Sequence, residues 1–227
     1  MAKSVSSHFS QPDGRKRGLL VAFMGLPGSG KSTTAQEVSK LIPGSALFQE
    51  PADTEWPPAV QRRHEFGNFG ALCWFRAMRV PSLFMGDQVR RNGGVAIVDS
   101  YYDKLIAGYI SHPDMRWLIP TSDEYFQVLK QLANLDSDLL PNVDCLIFLR
   151  VTVDVWRHFL STRERPMDSE EAFLQSFPTQ EPFLTASQVY AERTKTPLLI
   201  VDQKLSAPGD TAKEVVERLV GAGLLGS

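Results

Sequence analysis

Hydrophobic residues fall along this chain in short unbroken runs separated by stretches of helical spacing. The runs lie near residues 19–24, 45–49, 95–99, 144–149 and 197–201. Each is shorter than an ordinary helix and lacks an alternation of apolar and polar positions, as expected of strands buried on both faces. Helical periodicity takes over between them. Residues 31–41 follow the first run, and Glu124 to Leu129 opens a helix with Ser122 or Asp123 as its cap. Val155, Trp156, Phe159 and Leu160 share one face of a helix over 152–162. Val215, Val216, Leu219 and Val220 share one face of a last helix, which Gly221 stops. Strands alternating with helices predict an α/β fold: a parallel sheet with helices on both faces. Residues 50–63 carry Pro51, Pro57 and Pro58 and read as a loop; residues 163–170 are charged, contain Pro166 and read as a mobile flap. Residues 1–17 are Ser-rich and read as a disordered tail, leaving 18–227 as a single domain.

In open parallel sheets ligands sit at the carboxyl ends of the strands, so those ends carry the candidate chemistry. After the first run comes Gly25-Leu26-Pro27-Gly28-Ser29-Gly30-Lys31-Ser32, followed by Thr33, a complete phosphate-loop pattern between a strand and a helix. Its glycines let successive backbone N–H groups turn inward on a phosphate chain, and the helix N-terminus adds its positive end. Lys31 is placed to reach the β- and γ-phosphates of ATP or GTP, and the Ser32 hydroxyl to help hold Mg²⁺. The other runs end at Glu50, Asp99, Arg150 and Asp202, ionisable groups that can converge on the same site.

Each has a plainer use. Asp99 closes Val95-Ala96-Ile97-Val98, where an acid either faces the metal or caps a turn. Glu50 precedes a proline, where a carboxylate either takes a proton from a substrate hydroxyl or pairs with a nearby arginine. Arg163 and Arg165 either close over ATP and neutralise the transferring phosphoryl group or decorate a solvated helix end. The aromatic segment from Phe66 to Phe75 reads as a core helix, with Phe69, Leu72, Cys73 and Phe75 also able to line a slot for a flat ring and Asn68 or Arg76 to read it. His8, His64, His112 and His158 show no ligand spacing.

Composition narrows the field. A net charge of −2 offers no electrostatic case for nucleic-acid binding. Two distant cysteines, Cys73 and Cys145, suggest neither a disulfide framework nor a zinc site. No apolar run approaches the length of a membrane span, and the first residues lack the apolar stretch of a signal peptide. A cytoplasmic protein is expected.

The phosphate loop, Glu50-Pro51 followed by Trp56, Asp99-Ser100, the block over 146–165 and the strand over 197–202 together resemble the deoxynucleoside kinase and thymidylate kinase group of phosphate-loop enzymes. The resemblance spans roughly residues 19–220. It implies a five-stranded parallel sheet in the order 2-3-1-4-5, Glu50 as catalytic base, and a lid after Leu149-Arg150 and Val155-Trp156 that carries Arg163 and Arg165. It implies ATP with Mg²⁺ as donor and a small-molecule acceptor, and many members are dimers, so a homodimer is the expected assembly. Three departures bear on the acceptor. Ser100 stands where these enzymes have Arg, Gln49 where thymidylate kinases have Arg, and Asp168-Ser169 where they have Asp-Arg. A dianionic phosphate normally wants such arginines, so their loss favours a neutral acceptor, a (deoxy)nucleoside. A nucleoside monophosphate kinase whose phosphate clamp comes from Arg62, Arg63 or Arg76 stands as the alternative. So does a nucleotide-dependent switch, although no Asn-Lys-x-Asp pattern for guanine is present.

Overall fold

The computed structural model describes residues 18–162 and 176–226. Along the chain run β1 (Leu19–Gly25), α1 (Lys31–Leu41), β2 (Ala46–Phe48), the single turns α2 (Pro58–Gln61) and α3 (Arg63–Phe66), and α4 (Asn68–Arg91). Then come β3 (Val95–Val98), α5 (Tyr102–Tyr109), α6 (Phe126–Leu139), β4 (Cys145–Arg150), α7 (Val153–Ser161), α8 (Gln180–Thr194), β5 (Leu198–Asp202) and α9 (Pro208–Gly221). The strands form one sheet in the order β2-β3-β1-β4-β5, and every neighbouring pair is parallel. The five expected strands are therefore all present, in the expected order.

The unbroken apolar runs are explained by burial on both sides. Side chains alternate between faces along a strand. Leu20, Ala22 and Met24 of β1 join Leu146 and Phe148 of β4 in a core beneath α4, α5, α6 and α8. Leu19, Val21 and Phe23 join Cys145, Ile147 and Leu149 in a second core beneath α1 and α9. Helix α4 lies unusually close to the sheet at Gly86, where a Cβ would come within 3.0 Å of the Leu20 side chain and 3.3 Å of Val98.

Three local expectations shift. The helix expected from Glu124 starts at Phe126, and no side chain caps it. Asp123 instead closes the preceding turn, its Oδ1 accepting from the Tyr125 N–H at 2.8 Å. The proline-rich stretch after Glu50 is not wholly loop: Asp53–Glu55 makes a 3-10 turn and Pro58 opens α2 from its first position, where its missing N–H costs nothing. The aromatic segment is helical but divided: Phe66 ends α3, and Asn68 to Phe75 open α4. Among the described residues no helix is long and apolar enough to cross a membrane.

Candidate active site

The phosphate loop joins β1 to α1 at the centre of the sheet. Gly30 sits in the left-handed region (φ 84°) immediately before the helix. A Cβ there would meet the Gln203 amide nitrogen at 2.9 Å, so both torsion and space require glycine. Lys31 is the first residue of α1. Its Nζ donates to the carbonyls of Gly25 (3.3 Å) and Leu26 (2.9 Å) and to the Tyr102 hydroxyl (2.7 Å). The Tyr102 hydroxyl in turn donates to the Gly25 carbonyl at 2.6 Å. Burial pushes the Tyr102 phenol well above its ordinary pKa, with the nearby Glu50 charge adding to it, so this group stays a hydroxyl.

Two more side chains grip the loop from other elements. Trp156 of α7 is fully buried and donates its indole N–H to the Pro27 carbonyl at 3.0 Å. Gln203, just past β5, donates to the Ser29 carbonyl (2.9 Å) and to Thr34 Oγ1 (3.1 Å), and accepts from Thr211 at 2.9 Å. Ser32 and Thr33 remain exposed, with the Ser32 hydroxyl next to the Asp99 carboxyl.

Beside the loop, the ends of β2 and β3 bring two carboxylates together. The Glu50 N–H donates to Asp99 Oδ1 at 3.0 Å, and the Asp99 N–H donates to the Phe48 carbonyl at 3.1 Å. Asp99 is 2% exposed, and its Oδ2 has no hydrogen-bond partner. Burial, and then repulsion from Glu50, push the Asp99 pKa up to about 6 against the smaller pull of Ser32 and Lys31. Burial also works to raise Glu50, but the positive charges of Arg79 and Lys31 outweigh it, and the Glu50 carboxyl lies below its ordinary value. The pair thus divides into a carboxylate that is firmly ionised and one that titrates near neutrality.

Arg79 of α4 ties Glu50 to α5. It donates from Nη1 to Glu50 Oε1 at 3.1 Å, and from Nε and Nη2 to the two Asp103 oxygens at 2.6 and 3.2 Å. Its guanidinium lies 5.5 Å from the Phe75 ring and 5.4 Å from the Tyr102 ring. Burial works against its charge, yet Asp103 and Glu50 hold the guanidinium pKa well above the ordinary value.

Of the four strand-end groups expected to converge, Glu50 and Asp99 do. Arg150 and Asp202 pair with each other instead, at 2.6 and 2.9 Å, on the exposed edge of β4 and β5. Arg163 and Arg165 lie outside the described residues. The aromatic slot divides: Phe75 borders Arg79, whereas Phe69 stacks on Tyr125 at 4.6 Å. Asn68 donates to the Trp117 carbonyl (2.8 Å), and Arg76 forms a two-pronged pair with Asp136 at 2.6 Å for each contact. Burial lifts the Cys145 thiol to about 12, as suits a core cysteine. Sequence reading missed Arg79, Asp103, Tyr102, Trp156 and Gln203. A usable signal was present for Arg79, which stands one helical turn after Phe75.

No family model matches the chain. Over 102 residues it is 32% identical to the thymidylate kinase of Chlorobium limicola, a match covering 39% of this chain and 45% of that enzyme. The chain thus matches less than half the length of this relative. Among solved structures, a thymidylate kinase from Candida albicans superposes with a TM-score of 0.57 at 20% identity, over 92% of this chain and 93% of that one. A deoxyadenosine kinase from M. mycoides, solved with dCMP and dCDP, superposes with a TM-score of 0.62 at 17% identity, over 89% and 100% of the two chains. The same kinase with bound dATP gives 0.62 at 19% identity, over 89% of this chain and 99% of that one. Five parallel strands in the order 2-3-1-4-5, wrapped by helices, are the phosphate-loop kinase fold that this chain shares with them.

Proposed function

We propose that this chain is a kinase that transfers a phosphoryl group from ATP to the hydroxyl of a small acceptor, a (deoxy)nucleoside. The observation that carries this reading is the placement of Glu50. Its carboxylate stands beside the phosphate loop, kept ionised by Arg79 and Lys31 and fixed by its own N–H on Asp99. An ionised carboxylate at that point accepts the acceptor's hydroxyl proton as its oxygen bonds to the γ-phosphorus and ADP departs. Gly25, Pro27, Gly28, Ser29, Gly30, Lys31, Ser32 and Thr33 are assigned to the phosphates from sequence; the Ser29 N–H is donated to the Leu26 carbonyl at 3.1 Å, so on this reading the backbone donors come from Gly28, Gly30, Lys31, Ser32 and Thr33, with Lys31 turning its ammonium from the loop carbonyls to the phosphate oxygens. Arg163 and Arg165 complete the charge balance as a clamp, a role assigned from sequence.

The residues present fit a divalent cation. Asp99 Oδ2 is a buried carboxylate oxygen without a hydrogen-bond partner, and Ser32 supplies a hydroxyl beside it. Asp99 and Ser32 would hold Mg²⁺, which supplies neutralisation of the phosphate charge.

On this reading the acceptor lies against Glu50, Arg79 and the Phe75 ring. Arg62, Arg63 and Arg76 are all engaged within the protein: Arg62 with Glu65, Arg63 with the Val60 carbonyl, and Arg76 with Asp136. That supports a neutral acceptor over a monophosphate. The local identity to a thymidylate kinase favours the second reading, a nucleoside monophosphate kinase. ADP release, followed with Mg·ATP and a panel of nucleosides and their monophosphates, decides between them. Turnover with nucleosides supports the first reading and turnover with monophosphates alone the second. Slow ATP hydrolysis indifferent to every acceptor sinks both and leaves a nucleotide-dependent switch.

A second copy of the chain is the partner assigned to the exposed apolar residues Val128, Leu135 and Leu139. They recur at i, i+7 and i+11 along α6, the spacing of a helix–helix seam. Sedimentation of wild type against Leu135→Glu tests the homodimer.

A further inference from the structure

On the other side of α5 from the phosphate loop, helices α5, α6 and α8 enclose a groove of about 340 Å³. That is the scale of a small-molecule site. None of its lining residues belongs to the site described above. Two cations face it. Lys104 of α5 is only 3% exposed, and its recorded hydrogen bond, to the Leu140 carbonyl at 2.5 Å, occupies one of the ammonium's donors. Arg193 of α8 reaches in from the rim, donating from Nη2 to Ser137 Oγ at 3.1 Å. Asn134 and Ser137 add an amide and a hydroxyl, and the floor is apolar at Gly108 and Ala186. Val189, 56% exposed, forms part of the wall.

Burying an ammonium is costly without a counter-charge. Burial, then the like charge of Arg193, hold the Lys104 pKa below its ordinary value, and Asp138 and Asp136 only partly offset them. Asp136 is itself committed to Arg76. An anion between Lys104 and Arg193 relieves both penalties at once. Asp138 also lines the groove, so the far end of the ligand must carry a donor rather than a second negative charge.

We propose that this groove is an effector site for a small hydroxylated oxyanion, a hydroxy acid or a sugar phosphate, held by Lys104 and Arg193. The route to the phosphate loop is short. Lys104 directly follows Tyr102, which holds Lys31 and the Gly25 carbonyl, and Asp103, which holds Arg79. Tyr190, also in the groove wall, shares a hydrogen bond of 3.0 Å with Tyr101 at the start of the same helix. A ligand that draws on Lys104 therefore acts on the helical turn that positions both halves of the site, and its effect on nucleotide binding must be reciprocal.

The test is a calorimetric titration of the full chain with glycerate and, separately, with glycerol 3-phosphate, on wild type, Arg193→Glu and Val189→Trp. Both substitutions are at accessible positions far from the phosphate loop, and melting curves check that the variants fold. The expected result is a saturable component in wild type that both variants lose, with the probe that binds identifying carboxylate or phosphate chemistry. Isotherms that are the same in all three proteins overturn the site. The affinity for ADP is then measured with and without the bound probe. A change of about fivefold or more, lost in the variants, supports the effector role, and an unchanged affinity overturns it. If ADP fails to bind at all, the phosphate-loop reading fails, while the titration still judges the groove.

Discussion

The two halves of the candidate site are built by different means. The phosphate loop is held by hydrogen bonds from neutral or single-charge side chains to backbone carbonyls: Lys31 and Tyr102 on Gly25, Trp156 on Pro27, Gln203 on Ser29. The carboxylate half is held by charge on charge, with one largely buried guanidinium shared between Glu50 and Asp103 and a third carboxylate, Asp99, packed behind. Backbone contacts fix a shape that many sequences can support. An ion-pair network fixes both shape and protonation, because each partner sets the charge state of the next. The loop is therefore the generic part of this site, and in the proposed kinase the network is the part that would select and activate the acceptor.

The sharpest way to break this contrast is Glu50→Gln, which keeps the shape of the network and removes the proposed base. Turnover is expected to fall by about 10²–10⁴-fold, while thermal stabilisation by ATP survives. Full turnover would remove Glu50 from the chemistry. Next is Arg79→Met, which strands the largely buried Asp103 without its counter-ion. A loss of about 3–5 kcal/mol is expected in urea unfolding, and a loss under 1 kcal/mol would mean that the network contributes little to the fold.

The third prediction concerns pH. With a folded pKa of about 6, Asp99 holds a proton between about pH 4 and 6 that the unfolded chain has already released. Its contribution to stability therefore falls as pH rises through that window. Asp99→Asn is expected to stabilise the protein by about 1–3 kcal/mol near neutral pH and to flatten this part of the pH profile. Glu50 works in the opposite sense: its depressed pKa adds stability above its unfolded value and loses it as pH falls through the folded one. On the loop side, Gly30→Ala forces a left-handed residue against Gln203 and is expected to cost about 1–2 kcal/mol, with weaker ATP binding measured by calorimetry. Smallest is Asp202→Asn. Its exposed pair with Arg150 lies outside both halves, and a change of no more than about 1 kcal/mol is expected by thermal melting.

The strands, the sheet order through the resemblance, and the phosphate loop were legible in the sequence because each rests on local information. An apolar run reports burial on both faces, and Gly25 to Ser32 carries its geometry within a few adjacent residues. The placement of Glu50 and Asp99 side by side was also legible, since a strand end is a known place in a parallel sheet. Arg150 and Asp202 occupy equivalent places, yet adjacent strands put them side by side, where opposite charges close on each other rather than on a ligand.

The start of α6 and the helical turns after Glu50 were misjudged because single turns follow from hydrogen bonds to nearby prolines and aspartates, with no periodicity to read. Composition and local pattern alone determined that this chain is an α/β protein with a phosphate loop between its first strand and helix. Only the tertiary structure decided that Arg79, 29 positions from Glu50 and 24 from Asp103, joins the two. It likewise placed Gln203, 174 positions away, against Ser29. A phosphate loop is a property of consecutive backbone torsions, whereas a charge network among helices and strand ends exists only once hydrophobic burial has packed them together.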